Sequence, residues 1–300
     1  MLRNCGVINF KINRIGFQIK YCPKSLFKYI TDLITRYNFI HPASSLRPKV
    51  KLSIYIISNL SFRLLKKAKL VARFRTRDSN IYRCYRKGYY LFLTEGKNLL
   101  IIRPERGEGT LIIKKQEKLN LPPLLDRFIL TAIGQLLHRL GLFFLHASGV
   151  VKNGHKILFV SKSGGGKSTS ALSLFLGDWK YISDDFVFLR RKNRHQVVAS
   201  SLSSELRLKG GNPILFKNTF HSFEKSSNRS EDQENIYRVN IASLAPNRIV
   251  ESFIPNLIFF PYISKNRFSV IKPISKLGTL FLLINQSKSV FLAREAVKKI

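Results

Sequence analysis

Hydrophobic residues recur along the chain at two different spacings, and the change between them predicts where the elements lie. Between residues 24 and 39, Leu26, Ile30 and Leu33 lie three or four positions apart, which predicts an amphipathic helix just after a proline. Six short runs rich in β-branched and aromatic residues follow between 51 and 115, separated by turn-forming residues. They predict a small, mostly antiparallel β-rich part.

The pattern changes after the two prolines at 122 and 123. A helix is predicted from there to about Leu140, and the composition changes at Phe143. The order then becomes strand, turn, strand, glycine-rich loop, helix and strand, which is typical of α/β domains. We therefore predict an α/β (α+β) fold in two parts, a β-rich region of residues 1–122 with one early helix and a second domain of residues 123–300.

Membrane insertion and metal cages find no support in the pattern. The most apolar stretch, from 128 to 144, contains His138 and Arg139 and fits a helix buried on one face better than a transmembrane span. The three cysteines are odd in number and scattered, without metal-ligand spacing. A cytoplasmic chain in a reducing compartment, with no metal held by cysteines, is expected.

The charge of the chain is strongly unbalanced, with 52 Lys and Arg against 17 Asp and Glu and a formal net charge of +35. Anionic partners are therefore expected, and a nucleotide, a nucleic acid or an anionic membrane face would each satisfy the charge. Basic residues spread over a solvated surface by a coding bias toward Lys, Asn and Ile would explain it equally well. Charge alone does not choose among these explanations.

A run of tyrosines between 82 and 92 alternates with arginine and lysine, in a pattern that resembles an RNA-binding sheet. Aromatic residues are also what half-buried strands prefer, and no signature of an RNA-recognition sheet is present. We therefore favour ordinary strands over a nucleic-acid interface.

A glycine loop between a predicted strand and a predicted helix carries the clearest chemistry. The segment ILFVSKSGGGKST has the context that a phosphate-binding loop requires, although Ser161 stands where the first glycine of that motif normally lies. Glycines let backbone N–H groups point at phosphate oxygens, beside the positive N-terminus of the following helix. The expected nucleotide-binding residues are Ser163, Gly164, Gly165, Gly166, Lys167, Ser168 and Thr169.

Within this loop, Lys167 is expected to contact the β and γ phosphates and Ser168 to supply a hydroxyl to Mg²⁺. Further along, Asp184 and Asp185 are the only charges of the apolar run YISDDFVFL. Two such carboxylates need compensation, which Mg²⁺ would provide. Since neighbouring strand residues point to opposite faces, both reach one site only at a strand end or bulge. One would hold the metal and the other would accept a proton.

The segments LHASGVVKNGHKILFVSKSGGGKST and YISDDFVFL together resemble the catalytic domain of HPr kinase/phosphorylase, a fold related to phosphoenolpyruvate carboxykinase. The resemblance covers residues 143–192 and, more loosely, the chain to about 285. It implies a proton-accepting role for Asp184, Mg²⁺ binding by Asp185 and a position for His146 near the transferred phosphoryl group. It also hints at a homo-oligomer. The family's downstream arginine has only Arg207 as a candidate, so phosphorylase activity is not predicted.

Three functional hypotheses follow. The leading one is an Mg²⁺-dependent kinase that moves the γ-phosphoryl of ATP to a hydroxyl, with a serine of an unidentified protein or peptide as the expected acceptor. Its predicted catalytic residues are His146, Lys167 and Asp184. The second is a catalytically silent ATP-binding regulatory module with a basic docking surface. The third, nucleic-acid binding through the tyrosine-rich strands, is the least favoured.

Overall fold

The computed structural model describes residues 4–12, 15–36, 47–75, 80–115, 121–162, 164–184, 187–201, 205–209, 224–225, 236–241, 245–263 and 268–286. The fold is mixed α/β, with several sheets and few helices. Contacts divide it between Leu142 and Phe143 into unit 1 and unit 2. The domain boundary predicted between residues 122 and 123 is a separate claim, which this division by contacts does not test.

Unit 1 is built on one eight-stranded sheet. Its strands are β1 (Gly6–Ile12), β2 (Ile15–Cys22), β3 (Val50–Ile57), β4 (Lys69–Arg75), β5 (Ile81–Lys87), β6 (Tyr90–Glu95), β7 (Asn98–Arg103) and β8 (Glu108–Lys114). They lie in the order β1-β2-β3-β8-β7-β6-β5-β4. The pairs β2–β3 and β3–β8 are parallel and the other five are antiparallel.

Two helices cover apolar side chains of unit 1. Helix α1 (Phe27–Arg36) follows a short 3₁₀ turn, and α2 (Leu121–His138) packs against α1, β7 and β8. The prolines of α2 lie in its first turn, where an intrahelical N–H is not needed. Phe128 and Ile129 of α2 are fully buried. Helix α1 was predicted from its apolar spacing, and the start of α2 was predicted from its two prolines.

The cysteines differ from expectation. Cys5 and Cys22 form a disulfide, with their Cα atoms 4.4 Å apart, and Cys84 is a buried free thiol. The cause is the β1–β2 hairpin, whose register pairs Gly6 with Tyr21 and so brings the next residue on each strand together. Because β1 and β2 were not predicted from the sequence, the scattered positions of the cysteines did not indicate this pairing. The reducing compartment that was inferred from those positions therefore gains no support from the structure.

The strands of unit 2 are β9 (Leu142–Leu145), β10 (Ala147–Lys152), β11 (His155–Val160), β12 (Lys180–Ser183), β13 (Val187–Arg191), β14 (Val197–Ser201), β15 (Glu205–Lys209), β16 (Glu224–Lys225), β17 (Ile236–Asn240), β18 (Ser252–Phe253) and β19 (Leu257–Phe259). They form three small sheets, of orders β12-β10-β11-β19, β18-β14-β13-β9 and β15-β17-β16. Helix α3 (Lys167–Leu176) packs on β10 and β11 through Ala171, Leu172 and Phe175, and α4 (Lys276–Gln286) is the last element among the described residues.

The sheet that contains β11 determines where the predicted site residues meet. Strand β10 runs antiparallel to both β11 and β12, and β11 runs parallel to β19. The carboxyl ends of β11, β12 and β19 therefore lie at one edge of the sheet, together with the amino end of β10. We call this edge the loop edge, since the glycine loop starts there.

As for membrane insertion, the helices within the described parts of the chain include none with both the length and the apolar character needed to cross a bilayer.

Candidate functional site

The glycine loop connects β11 to α3 in a backbone conformation that only glycine adopts without strain. Gly164 and Gly166 have φ values of +84° and +98°, in the left-handed region. Gly166 is the N-cap of α3, which begins at Lys167, and as a glycine it has no side chain to cap the first turn. N–H groups in the first turn of a helix have no intrahelical acceptor, so this turn offers donors to an anion. Ser163 lies outside the described residues, and Thr169 lies in this first turn.

Ser161, which replaces the usual first glycine of the motif, is accommodated by Gly165. The Ser161 side chain is buried, and its hydroxyl donates to the carbonyl of Lys162 at 3.1 Å. A Cβ at Gly165 would lie 2.4 Å from Ser161 Oγ, closer than real Cβ contacts come. The loop therefore closes around the serine, because residue 165 has no side chain.

A buried carboxylate lies next to the start of α3. Asp184 follows the last residue of β12 and is 2% exposed. The hydroxyl of Ser168 lies 2.8 and 2.9 Å from its two oxygens, and the hydroxyl of Ser148 donates to Oδ1 at 2.6 Å. Hydroxyl donors of this kind replace the water that a buried carboxylate loses. Asp184 is thus joined to the loop by one hydroxyl and to β10 by the other.

A β-bulge determines where Asp184 emerges from its strand. Gly149 pairs with Ser183 but Val150 pairs with Tyr181, so Ile182 is an extra residue on β12. Gly149 makes room for it, because a Cβ there would lie 2.2 Å from Ile182 Cγ2. The sequence predicted that both aspartates reach one site only at a strand end or bulge. Asp184 lies at both a strand end and a bulge, and the prediction for Asp185 stays untested.

The other predicted site residues lie at the same edge or outside the described chain. Lys167 is 5% exposed at the start of α3. His146 precedes β10, and its backbone N–H donates to the carbonyl of Gln286 at 3.1 Å. Since Ala147 pairs with Val160, His146 and the start of the loop both lie at the loop edge. Asp185 lies outside the described residues.

Arg207, the candidate for the family's downstream arginine, lies in β15 opposite Arg238 of β17. The polar composition of the segment 222–235 predicts a mobile loop. Apart from β16, this segment lies outside the described residues.

The oxygen atoms around Ser168 suit Mg²⁺. Within the described ranges, no three His, Cys, Asp or Glu residues cluster as a metal cage. Mg²⁺ does not require one, because it is usually bound by one or two carboxylates together with water and substrate phosphates. Ser168 and Asp184 supply a hydroxyl and a carboxylate within hydrogen-bond distance of each other. These are hard oxygen ligands, and the residues present therefore fit the metal.

Ser148 was not identified from the sequence. Its only signal is a hydroxyl in the otherwise apolar run that includes Ala147, Gly149 and Val150. A serine in a strand does not indicate a site by itself. The register of β10 and β12 brings this serine within hydrogen-bond distance of Asp184.

Comparisons with known proteins leave the family open. No family model matches the sequence, and no curated protein matches it. The structure is similar to that of the HPr(Ser) kinase/phosphatase from Coxiella burnetii over 52% of this chain and 92% of that chain. The sequence identity is 12% and the TM-score is 0.28. A TM-score this low carries no argument about function.

Proposed function

We propose that this chain binds ATP with Mg²⁺ at the loop edge and transfers the γ-phosphoryl group to a hydroxyl, with a serine of a protein or peptide as acceptor. The observation that carries the proposal is the contact of Ser168 with both oxygens of Asp184. It joins the residue after the loop lysine to a buried carboxylate at the end of β12, which β10 separates from β11 in the sheet. This is the arrangement by which nucleotide-binding loops hold Mg²⁺ next to phosphate.

The loop itself supplies the phosphate site in this proposal. The N–H groups of the first turn of α3 and the positive end of its dipole bind the phosphates. Lys167 adds a cation in a largely buried position, where attraction to phosphate is less screened than at the surface. Together these groups bind and orient the triphosphate for transfer.

The carboxylates have two roles to fill. Mg²⁺, when bound, would neutralise charge on the β and γ phosphates, and Ser168 with Asp184 would hold it. By the resemblance to HPr kinase, Asp184 would accept the proton of the acceptor hydroxyl and Asp185 would bind Mg²⁺. The contact with Ser168 supports a place for Asp184 beside the metal as well. His146, at the same edge, is proposed to lie near the transferred phosphoryl group.

The test is transfer of label from γ-phosphate-labelled ATP, with Mg²⁺, to proteins and peptides of a host lysate. Wild type is expected to label an acceptor, and Lys167→Ala to lower the rate at least about 100-fold, since one transition-state cation contributes on the order of 3 kcal/mol. Lys180→Ala, which removes an exposed lysine at the start of β12, is the matched control and should keep the rate.

Two results would contradict the proposal. A folded Lys167→Ala variant that transfers label at the wild-type rate would remove the loop from the chemistry. Wild-type protein that binds MgATP but moves label to no acceptor, water included, would favour the silent regulatory module. The identity of the acceptor and the homo-oligomeric state stay predictions.

A further inference from the structure

Ser148 has a position in unit 2 that the proposed reaction has not yet used. Its side chain is fully buried in β10, where it donates to Oδ1 of Asp184 at 2.6 Å. The same oxygen lies 2.8 Å from the hydroxyl of Ser168. One carboxylate oxygen thus lies within hydrogen-bond distance of two hydroxyls, one on the sheet and one on α3.

This geometry restricts how the carboxylate can turn. Asp184 directly follows a bulged strand, and its carboxylate accepts from Ser148 at Oδ1 and lies within hydrogen-bond distance of Ser168 at both oxygens, so a turn away from this orientation would lengthen these contacts. Hydrogen bonds that a hydroxyl donates to a carboxylate are among the stronger ones in proteins, and they hold best where water is excluded. Ser148 and Asp184 are 0% and 2% exposed, so water does not compete for this bond.

A purely structural reason for Ser148 would be to satisfy a buried carboxylate. That reason explains the contact with Ser148 but leaves unexplained why Asp184 also meets the hydroxyl that follows the loop lysine. Since Ser168 belongs to the proposed metal site, a donor that fixes Asp184 also fixes the direction of the carboxylate toward the metal. Loss of a hydrogen-bond partner of a metal ligand typically changes metal affinity 10- to 100-fold.

We infer that Ser148 is a positioning residue, whose hydroxyl holds the Asp184 carboxylate in the orientation that Ser168 and Mg²⁺ require. The inference rests on the proposed function, because it assumes that this carboxylate serves the metal. Ser148 does not itself contact nucleotide or metal. Its removal should therefore weaken the response to Mg²⁺ and leave the binding of metal-free ATP unchanged.

The experiment is a titration of the full chain with a fluorescent ATP analogue at a series of Mg²⁺ concentrations, and then without Mg²⁺. For Ser148→Ala, the half-saturating Mg²⁺ concentration is expected to rise by about 10-fold or more, with metal-free affinity as in wild type. Ser200→Ala removes a buried serine of β14, on another sheet of the same unit, and should shift neither quantity. If Ser148→Ala does not fold, Ser148→Cys replaces the hydroxyl with a weak donor of similar size.

The outcomes separate the two proposals. If wild-type binding does not respond to Mg²⁺, or Lys167→Ala binds nucleotide as wild type does, the proposed function fails and the inference fails with it. If wild type responds to Mg²⁺ and Ser148→Ala responds at the same concentrations, the inference alone is wrong. If Ser148→Ala loses metal-free and Mg²⁺-dependent binding equally, Ser148 has a general structural role, and the positioning role is rejected.

Discussion

Ser161 and Gly165 form a steric pair within the glycine loop. The hydroxyl and Cβ of Ser161 would lie 2.4 and 2.8 Å from a Cβ at residue 165. Such distances force a shift of the neighbouring atoms, and a buried serine that bonds to Lys162 has little room to give. The unusual serine is therefore compatible with a closed loop only while residue 165 is glycine.

Replacement of Gly165 by alanine is expected to weaken MgATP binding about 10-fold or more, because overpacking of this kind costs about 1–3 kcal/mol. Ser161→Gly removes the two closest atoms and leaves the Lys162 carbonyl oxygen at 3.1 Å, so the double variant Ser161→Gly/Gly165→Ala should recover part of the lost affinity. Dissociation constants from nucleotide titration measure both effects. Gly177→Ala, at the other end of α3 with its nearest contact at 3.4 Å, is the control. Equal losses in the single and double variants would contradict the steric pair.

Single residues of the site were predictable to the extent that their signal is local. Lys167 and Ser168 follow from a short string in strand and helix context, and Asp184 stands out as a charge in an apolar run. Ser148 could not be found in this way, because its bond to Asp184 joins residues 36 positions apart. That contact depends on the pairing of β10 with β12 and on the shift in their register.

The strands themselves show the same limit at the scale of elements. Runs rich in β-branched and aromatic residues predicted β3 to β8, helical spacing predicted α1, and the two prolines predicted the start of α2. The sheet is mostly antiparallel, as predicted, but the two parallel pairs, β2–β3 and β3–β8, were not predicted. Local periodicity reports that a strand is half-buried, but it carries no information on which strand will be its neighbour.

The disulfide of the β1–β2 hairpin and the burial of Cys84 in β5 predict how the three cysteines react with an alkylating reagent. Burial raises the pKa of the Cys84 thiol to about 11, so thiolate, the reactive form, is scarce near neutral pH. Alkylation of native protein without reductant at about pH 7.5 should therefore modify no thiol quickly. Because thiolate forms as the pH rises toward this pKa, modification of Cys84 should accelerate with pH.

Unfolding before alkylation separates the disulfide from the buried thiol. Without reductant, one cysteine per chain should be modified, and with reductant three, as counted by mass spectrometry. Cys84→Ser should lower these counts to none and two, while Cys5→Ser should give two in both conditions. Three modified cysteines in unfolded wild type without reductant would show that the hairpin is not closed by a disulfide.

Net charge acts on the whole molecule. A formal charge of +35 on 300 residues makes the folded chain repel itself, because folding brings like charges closer together. Basic residues dispersed over a solvated surface would leave this repulsion in the free protein, to be relieved by salt. A surface shaped for an anionic partner would have the same property until that partner binds. Both explanations therefore predict a stability that depends on ionic strength.

Thermal unfolding should report that dependence directly. The Debye length falls from about 10 Å at 0.1 M salt to about 3 Å at 1 M, so added NaCl should screen the repulsion and raise the unfolding midpoint. For a chain of 300 residues, each kcal/mol of relieved repulsion corresponds to roughly 1–2 °C, because the entropy of unfolding is about 2.1 cal/mol/K per residue. The rise should be steepest below about 0.2 M and then level off, because screening saturates once the Debye length is shorter than the spacing between charges.

A linear rise of the midpoint to high salt would instead indicate a general salting-out effect on apolar burial. A midpoint that stays constant or falls with NaCl would show that the positive charges are already compensated within the fold, and a basic docking surface would then lose its physical basis.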